Sequence, residues 1–151
     1  MILFVITVFS ILAVTLRPPM GWGNPLPSRH GDPWDNVNLI LFRMFRIYKA
    51  CYRLGDLRYI VINFLGNILV FLPLGFFPAL LFQKERWWRS ALVGGGISVF
   101  VECGQYFLMR QTDIDDVILN TLGALCGYWV FLLLRRLFPT FISKFRCQEI
   151  S

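Results

Sequence analysis

Four apolar blocks restrict what this chain can become. They run over residues 1–16, 59–82, 90–108 and 117–134. A run of about 20 apolar residues has no polar stripe to offer water, and it reads as a helix that crosses a membrane. Hydrocarbon gives the backbone no hydrogen-bond partners, so a spanning segment must satisfy its own N–H and C=O groups. The expected fold class is all-α, a small integral membrane bundle of four transmembrane helices. Composition agrees, with 56% hydrophobic and 16% charged residues. The formal charge of +6 then belongs to span ends, where Lys and Arg set orientation and meet anionic headgroups. It does not point to nucleic acid, because the basic residues flank apolar blocks or follow one amphipathic segment.

The first block carries no Lys or Arg ahead of it and is followed by Arg17-Pro18-Pro19. A cleaved signal peptide would want a basic start and a small-residue cleavage site, so a retained first helix ended by proline is expected. Residues 17–35 are a Gly/Pro/Asn/Asp loop with Trp22 and Trp34 suited to the membrane–water interface. Residues 36–54 read as an interfacial amphipathic helix between the first and second spans. Arg43, Arg46, Lys49 and Arg53 gather on one side, and Leu41, Phe45, Tyr48 and Tyr52 on the other. Such a helix either anchors the protein on lipid or gathers an anionic lipid-linked substrate.

The second span carries Asn63 and Asn67 one turn apart, then Pro73 and Gly75. The third aligns Gly94, Ser98, Glu102 and Gln105 on one face. The fourth aligns Asn120, Gly123 and Gly127, and the two glycines have the spacing that lets helices approach closely. Pro73, Gly75, Gly123 and Gly127 are expected to serve packing. The parts are residues 1–58 (first helix, loop and amphipathic helix), 59–134 (three spans) and 135–151 (a basic cytoplasmic tail), in one structural domain.

Between the third and fourth spans lies a polar turn with Arg110, Gln111, Thr112, Asp113, Asp115 and Asp116. Consecutive spans alternate in direction, so the start of the second, the end of the third and the start of the fourth share one membrane face. At ~1.5 Å per residue, Asn63, Glu102, Gln105 and Asn120 fall within about 10 Å of that face, and Asn67 slightly deeper. Ionisable groups in a span are costly, face a protein interior or a watery cavity, and mark function. A network that merely held the bundle would gain only ~0.6 kcal/mol per interhelical bond. Glu102, Asp113, Asp115 and Asp116 are candidate acceptors for hydroxyl, amide or amine groups. Asn63, Asn67, Gln105 and Asn120 would orient them, and Arg110 would meet a carboxylate or phosphate. Helix capping is the alternative use of three aspartates at a helix start.

No cofactor or metal is expected. His30 stands alone, and Cys51, Cys103, Cys126 and Cys147 show no paired ligand spacing. Cys103 and Cys126 are expected as small core residues. Lys and Arg divide seven inside to eight outside if the amino terminus is inside. The short basic turn at 83–89 is the better orientation signal, which leaves the polar turn outside.

In order, the chain shows Asn63-x3-Asn67-x3-Phe71-x-Pro73-x-Gly75, Glu102-x2-Gln105, Arg110, and Asp113-x-Asp115-Asp116-x3-Asn120-x2-Gly123. This run resembles the VanZ-like family of bacterial membrane proteins over about residues 59–134, while the first 58 residues match in layout. The resemblance implies a multi-pass protein of the bacterial cell membrane with both termini cytoplasmic. It also implies a link to glycopeptide resistance, teicoplanin above all. It supplies no mechanism.

Three functions are weighed. The favoured one is a non-enzymatic envelope protein whose outward polar pocket binds a lipid-linked cell-wall precursor or an amphiphilic glycopeptide, with membrane lipids as neighbours. The second is a membrane-embedded enzyme on a lipid-linked or amphiphilic substrate. Glu102 and Asp116 are its candidate catalytic residues, with Glu102 as general base and the aspartates on a divalent cation. No Ser/His or Cys/His pairing supports it. The third is a transporter or channel subunit, which would need an oligomer and a polar track across the membrane that the spans lack.

Overall fold

The computed structural model describes residues 2–16, 37–81, 86–108 and 110–145. The expectations for Arg17–Pro19, Trp22, His30, Trp34, Arg146 and Cys147 lie outside the described residues. Four apolar helices form the body: α1 (Ile2–Thr15), α3 (Leu57–Leu81), α4 (Trp87–Phe107) and α5 (Ile114–Leu137). A shorter helix, α2 (Arg43–Arg53), precedes α3, and α6 (Pro139–Ser143) follows α5. The one departure from helix among the described elements is a parallel pair of two-residue strands, β1 (Val37–Asn38) on β2 (Thr112–Asp113).

The expected amphipathic helix over 36–54 is therefore shorter. It starts at Arg43 because residues 37–38 pair with the turn ahead of α5. It ends where Gly55, at φ 77°, reverses the chain. Gly55 N–H donates to Tyr52 O and Asp56 N–H to Cys51 O, at 3.1 and 2.9 Å, the paired closure that a left-handed glycine permits. Asp56 then accepts Tyr59 N–H at 3.2 Å and starts α3.

The expected sides of α2 also shift. Met44 is buried and Ile47, Tyr48 and Cys51 are half-buried, a 3-1-3 stripe facing the body. Phe45 and Tyr52 are exposed. At the far end, residues 135–145 are largely helical rather than a plain tail. Ile142 of α6 folds back and is buried with Ala79 and Phe131.

Among the described residues, α3 and α5 are long and apolar enough to cross a membrane. Four spans are not shown. α1 has 14 residues, and α4 is diluted by Ser90, its glycines, Ser98, Glu102 and Gln105. Only 17% of the α3 span and 33% of the α5 span is buried inside the protein, unlike the core helix of a soluble protein. Ile62, Leu69, Leu92, Phe100 and Leu133 are all more than half exposed. This outward apolar surface points to membrane association.

Contacts set the helix directions. Asn67, Leu72 and Phe76 meet Asp116, Gly127 and Phe131, so α3 and α5 run parallel. Gly94 and Ser98 meet Ala124 and Asn120, so α4 runs against them. Ile11 packs with Phe71, Leu74 and Val101, and Leu16 reaches Gly104, which places α1 alongside α4 in the same direction. The α3–α5 seam is the closest approach. A Cβ on Gly75 would overlap the Ala124 carbonyl, and one on Gly127 the Leu72 carbonyl. The expected packing role of these glycines thus takes the form of backbone against backbone.

Gly127→Ala should destabilise the protein by about 1–3 kcal/mol through overpacking. A Cβ on Gly66 would meet nothing within 4 Å, so Gly66→Ala should be neutral or stabilising by up to ~1 kcal/mol. Unfolding of detergent-solubilised protein, followed by circular dichroism, distinguishes them. Equal midpoints for the two variants would refute the backbone contact.

Candidate functional site

The C-terminal ends of α1 and α4 meet the N-terminal ends of α3 and α5 at one corner, with β1 and α2 laid against it. Each candidate site residue has a partner that can be named. Asp113 is the N-cap of α5 and accepts Asp115 N–H at 2.9 Å. Glu102, 4% exposed, accepts Asp113 N–H at 3.0 Å, and Thr112 Oγ1 donates to Glu102 O at 3.2 Å. The end of α4 thereby holds the start of α5.

Asp115 is only 1% exposed and works on another element. Its two oxygens accept Phe42 N–H at 2.6 Å and Met44 N–H at 2.8 Å. α2 has no capping side chain of its own, so a carboxylate from α5 supplies the cap and meets the positive end of the helix dipole. Phe42 sits at φ 63°, a left-handed conformation costly for a bulky residue, and the charge-assisted bond to its amide holds it there.

Gln105 and Arg110 serve α1. Gln105 Nε2 and Arg110 Nη1 both donate to Thr15 O, at 3.2 and 2.8 Å, and satisfy the last residue of that helix. Asn120 is 3% exposed and lies away from the corner, where its Nδ2 donates to Ser98 Oγ at 2.8 Å. Its Oδ1 has no partner among the described residues.

Asp116 differs from the other acids because its partners are side chains. Asn67 Nδ2 donates to Asp116 Oδ1 at 2.9 Å, and Asn63 approaches the same carboxylate. Tyr48 Oη donates to Asn63 Oδ1. Tyr48, Asn63 and Asp116, together with Arg43, Gln111 and Tyr59, border a polar cavity of about 110 Å³. Partial burial, and then the nearby Asp116 carboxylate, push the Tyr48 phenol up from its ordinary value of 10.0 to about 12.

On the other side of Asp113 lies an apolar groove of about 370 Å³ between α4 and α5. Val99, Tyr106, Phe107, Ile114 and Val117 form its walls, and Glu102 and Asp113 its polar end. Cys103 lines this groove and is exposed, and Cys126 is half-buried, so neither is the core residue expected.

The structure thus brings Asn63, Asn67, Asp113, Asp115 and Asp116 together, sets Glu102 on the groove side, and turns Gln105 and Arg110 toward α1. The carboxylates diverge to different partners rather than converging on one point. Among the described residues, no group of three or more His, Cys, Asp or Glu side chains could hold a metal ion. Sequence reasoning missed Tyr48 as a site residue. Its signal was the Met44, Ile47, Tyr48, Cys51 stripe, obscured because the basic residues drew the helix axis elsewhere.

Asp115→Asn should weaken the α2 cap by about 1–2 kcal/mol, which speeds hydrogen exchange at the Phe42 and Met44 amides roughly five- to thirty-fold. Unchanged exchange there would refute the cap. For Tyr48, the neutral phenol is the form the fold favours. Its contribution to stability is complete below pH 10.0 and is lost as pH rises through about 12. The wild-type minus Tyr48→Phe difference in tyrosinate absorbance should therefore have its midpoint near 12. A midpoint at the ordinary value would contradict that environment.

Among known families, the model described as VanZ/LLP1 matches residues 2–135 of the chain. No curated protein and no solved structure matches it.

Proposed function

The chain belongs to the VanZ/LLP1 family, and from that premise we propose that it binds an amphiphilic envelope ligand at the Asp116 cavity, either a lipid-linked cell-wall precursor or a glycopeptide of the teicoplanin type. Family membership supports a VanZ-like role and suggests a tie to glycopeptide resistance. The observation that carries the finer reading is the unequal use of the acids. Asp113, Asp115 and Glu102 are committed to backbone amides. Asp116 is held by amide side chains and lines a cavity with Arg43, Tyr48 and Gln111. That set offers a carboxylate, a guanidinium and neutral donors to a headgroup bearing amines, amides or hydroxyls. The apolar groove shares Asp113 with the cavity and is open to hydrocarbon, which suits the ligand's chain.

In this reading all four apolar helices cross the cytoplasmic membrane, both termini are cytoplasmic, and the corner faces outward. In α4 the polar Ser90, Ser98, Glu102 and Gln105 are buried, while Leu92, Val99, Phe100 and Phe107 face out. A helix with its polar side chains turned inward is compatible with lipid around it. Glu102 opens on the groove and Asp116 on the cavity. That separation argues against an acid–base pair on one bond, and the chain is read as a binding protein.

The test is binding of teicoplanin and of lipid-linked precursor to the full chain in nanodiscs, beside susceptibility of a sensitive Gram-positive host expressing it. Asp116→Asn should weaken binding about ten-fold, the loss of one charge-assisted bond of ~1.5 kcal/mol, and should lower any teicoplanin tolerance at matched membrane levels. Wild-type protein that binds neither ligand overturns the proposal.

A further inference from the structure

α2 has a second exposed feature that the polar cavity does not explain. Its eleven residues carry Arg43, Arg46, Lys49 and Arg53 and no acid. All four side chains are exposed, and among the described residues none is in an ion pair. Arg43 and Arg46 stand three residues apart and therefore project from neighbouring positions on one side of the helix. Between them and the apolar wall of Ile40, Ile47 and Ala50 is a recess of about 300 Å³. It shares no lining residue with the groove between α4 and α5.

We propose that this Arg43–Arg46 recess binds the headgroup phosphate of an anionic membrane phospholipid. Two guanidinium groups present planar forks of donors that match phosphate oxygens, and each can engage two of them. The amides at the start of α2 are already taken by Asp115, so the anion is held by side chains and not by the helix end. Surrounding apolar residues decide the source of the phosphate. Leu39, Ile40, Leu41, Phe42 and Phe45 are each more than half exposed around the start of α2. Side chains of this kind insert at the acyl boundary and hold the arginines at headgroup depth, where a free anion has no advantage over a lipid. Charge complementarity acts in the same direction, since α2 brings four positive charges and no negative one. Arg43 also lines the Asp116 cavity, so a bound phosphate would fix one guanidinium at the edge of that cavity.

The full chain is extracted from nanodiscs containing phosphatidylglycerol and phosphatidylcholine, and retained lipid is counted by native mass spectrometry. Wild type should retain phosphatidylglycerol and not phosphatidylcholine. Arg43→Gln/Arg46→Gln should lower that retention at least about ten-fold. Lys49→Gln/Arg53→Gln removes equal charge from the same helix outside the recess and should lower it less than about three-fold. Arg43→Lys/Arg46→Lys keeps the charge, loses the forks, and should fall between them. Exchange at the Phe42 and Met44 amides checks that α2 stays docked in every variant. Equal losses in the two Gln pairs would reduce the site to diffuse attraction and overturn the proposal. So would equal retention of phosphatidylcholine, or displacement of the lipid by millimolar inorganic phosphate.

Discussion

The backbone-to-backbone contact of α3 and α5 determines where everything else sits. At Gly75, Gly123 and Gly127 the two helices approach so closely that a single methyl group would meet a carbonyl of the partner. In a membrane, apolar side chains gain nothing by leaving lipid, so helices are held by close packing and by polar contacts instead. The seam supplies the first and fixes the register of the second. It brings Asn67 opposite Asp116. It also leaves α4 to lie across both helices, with Gly94 and Ser98 against Ala124 and Asn120. Ser90 continues that contact at the opposite end, where its hydroxyl donates to Gly75 O at 3.0 Å.

From this frame the acids acquire separate tasks. Four carboxylates close together in sequence would repel one another if they faced a common point. They are instead distributed over the loose ends of helices. Glu102 joins α4 to the 112–113 turn, Asp113 starts α5, and Asp115 starts α2 from a distance of 71 residues in sequence. Each of these bonds satisfies an amide that the helix geometry itself leaves open. Asp116 is the one of the four that no helix end among the described residues consumes. The proposed binding role follows from that difference in partners and not from the number of acids.

Much of the helical pattern was legible in the sequence. The extent of the apolar blocks located α3, α4 and α5 to within three residues at each end, and the motifs in residues 59–134 named the family that the match over 2–135 bears out. The match reaches back to residue 2 and so takes in α1 and α2, where the motifs showed only a layout. What escaped was long-range. The pairing of Val37 and Asn38 with Thr112 and Asp113 rests on two residues per strand, too few for an alternating pattern to register. The cap that Asp115 places on α2, and the use of Gln105 and Arg110 on Thr15, join elements whose separation in sequence carries no local signal. Asn120 looked like a corner residue because depth can be read from spacing, whereas its rotation toward Ser98 is set by packing.

The β1–β2 pairing has a consequence for how such a chain can vary. Thr15 is tied to Gln105 and Arg110, and Val37 to Thr112, so the chain leaves the corner and returns to it. Closing a loop whose two ends are already fixed costs entropy that rises only with the logarithm of its length, about 0.6 kcal/mol for each doubling. The place of α2 over the Asp116 cavity is therefore set by the Asp115 cap and the β1–β2 pairing, and not by the number of residues that join Thr15 to Val37.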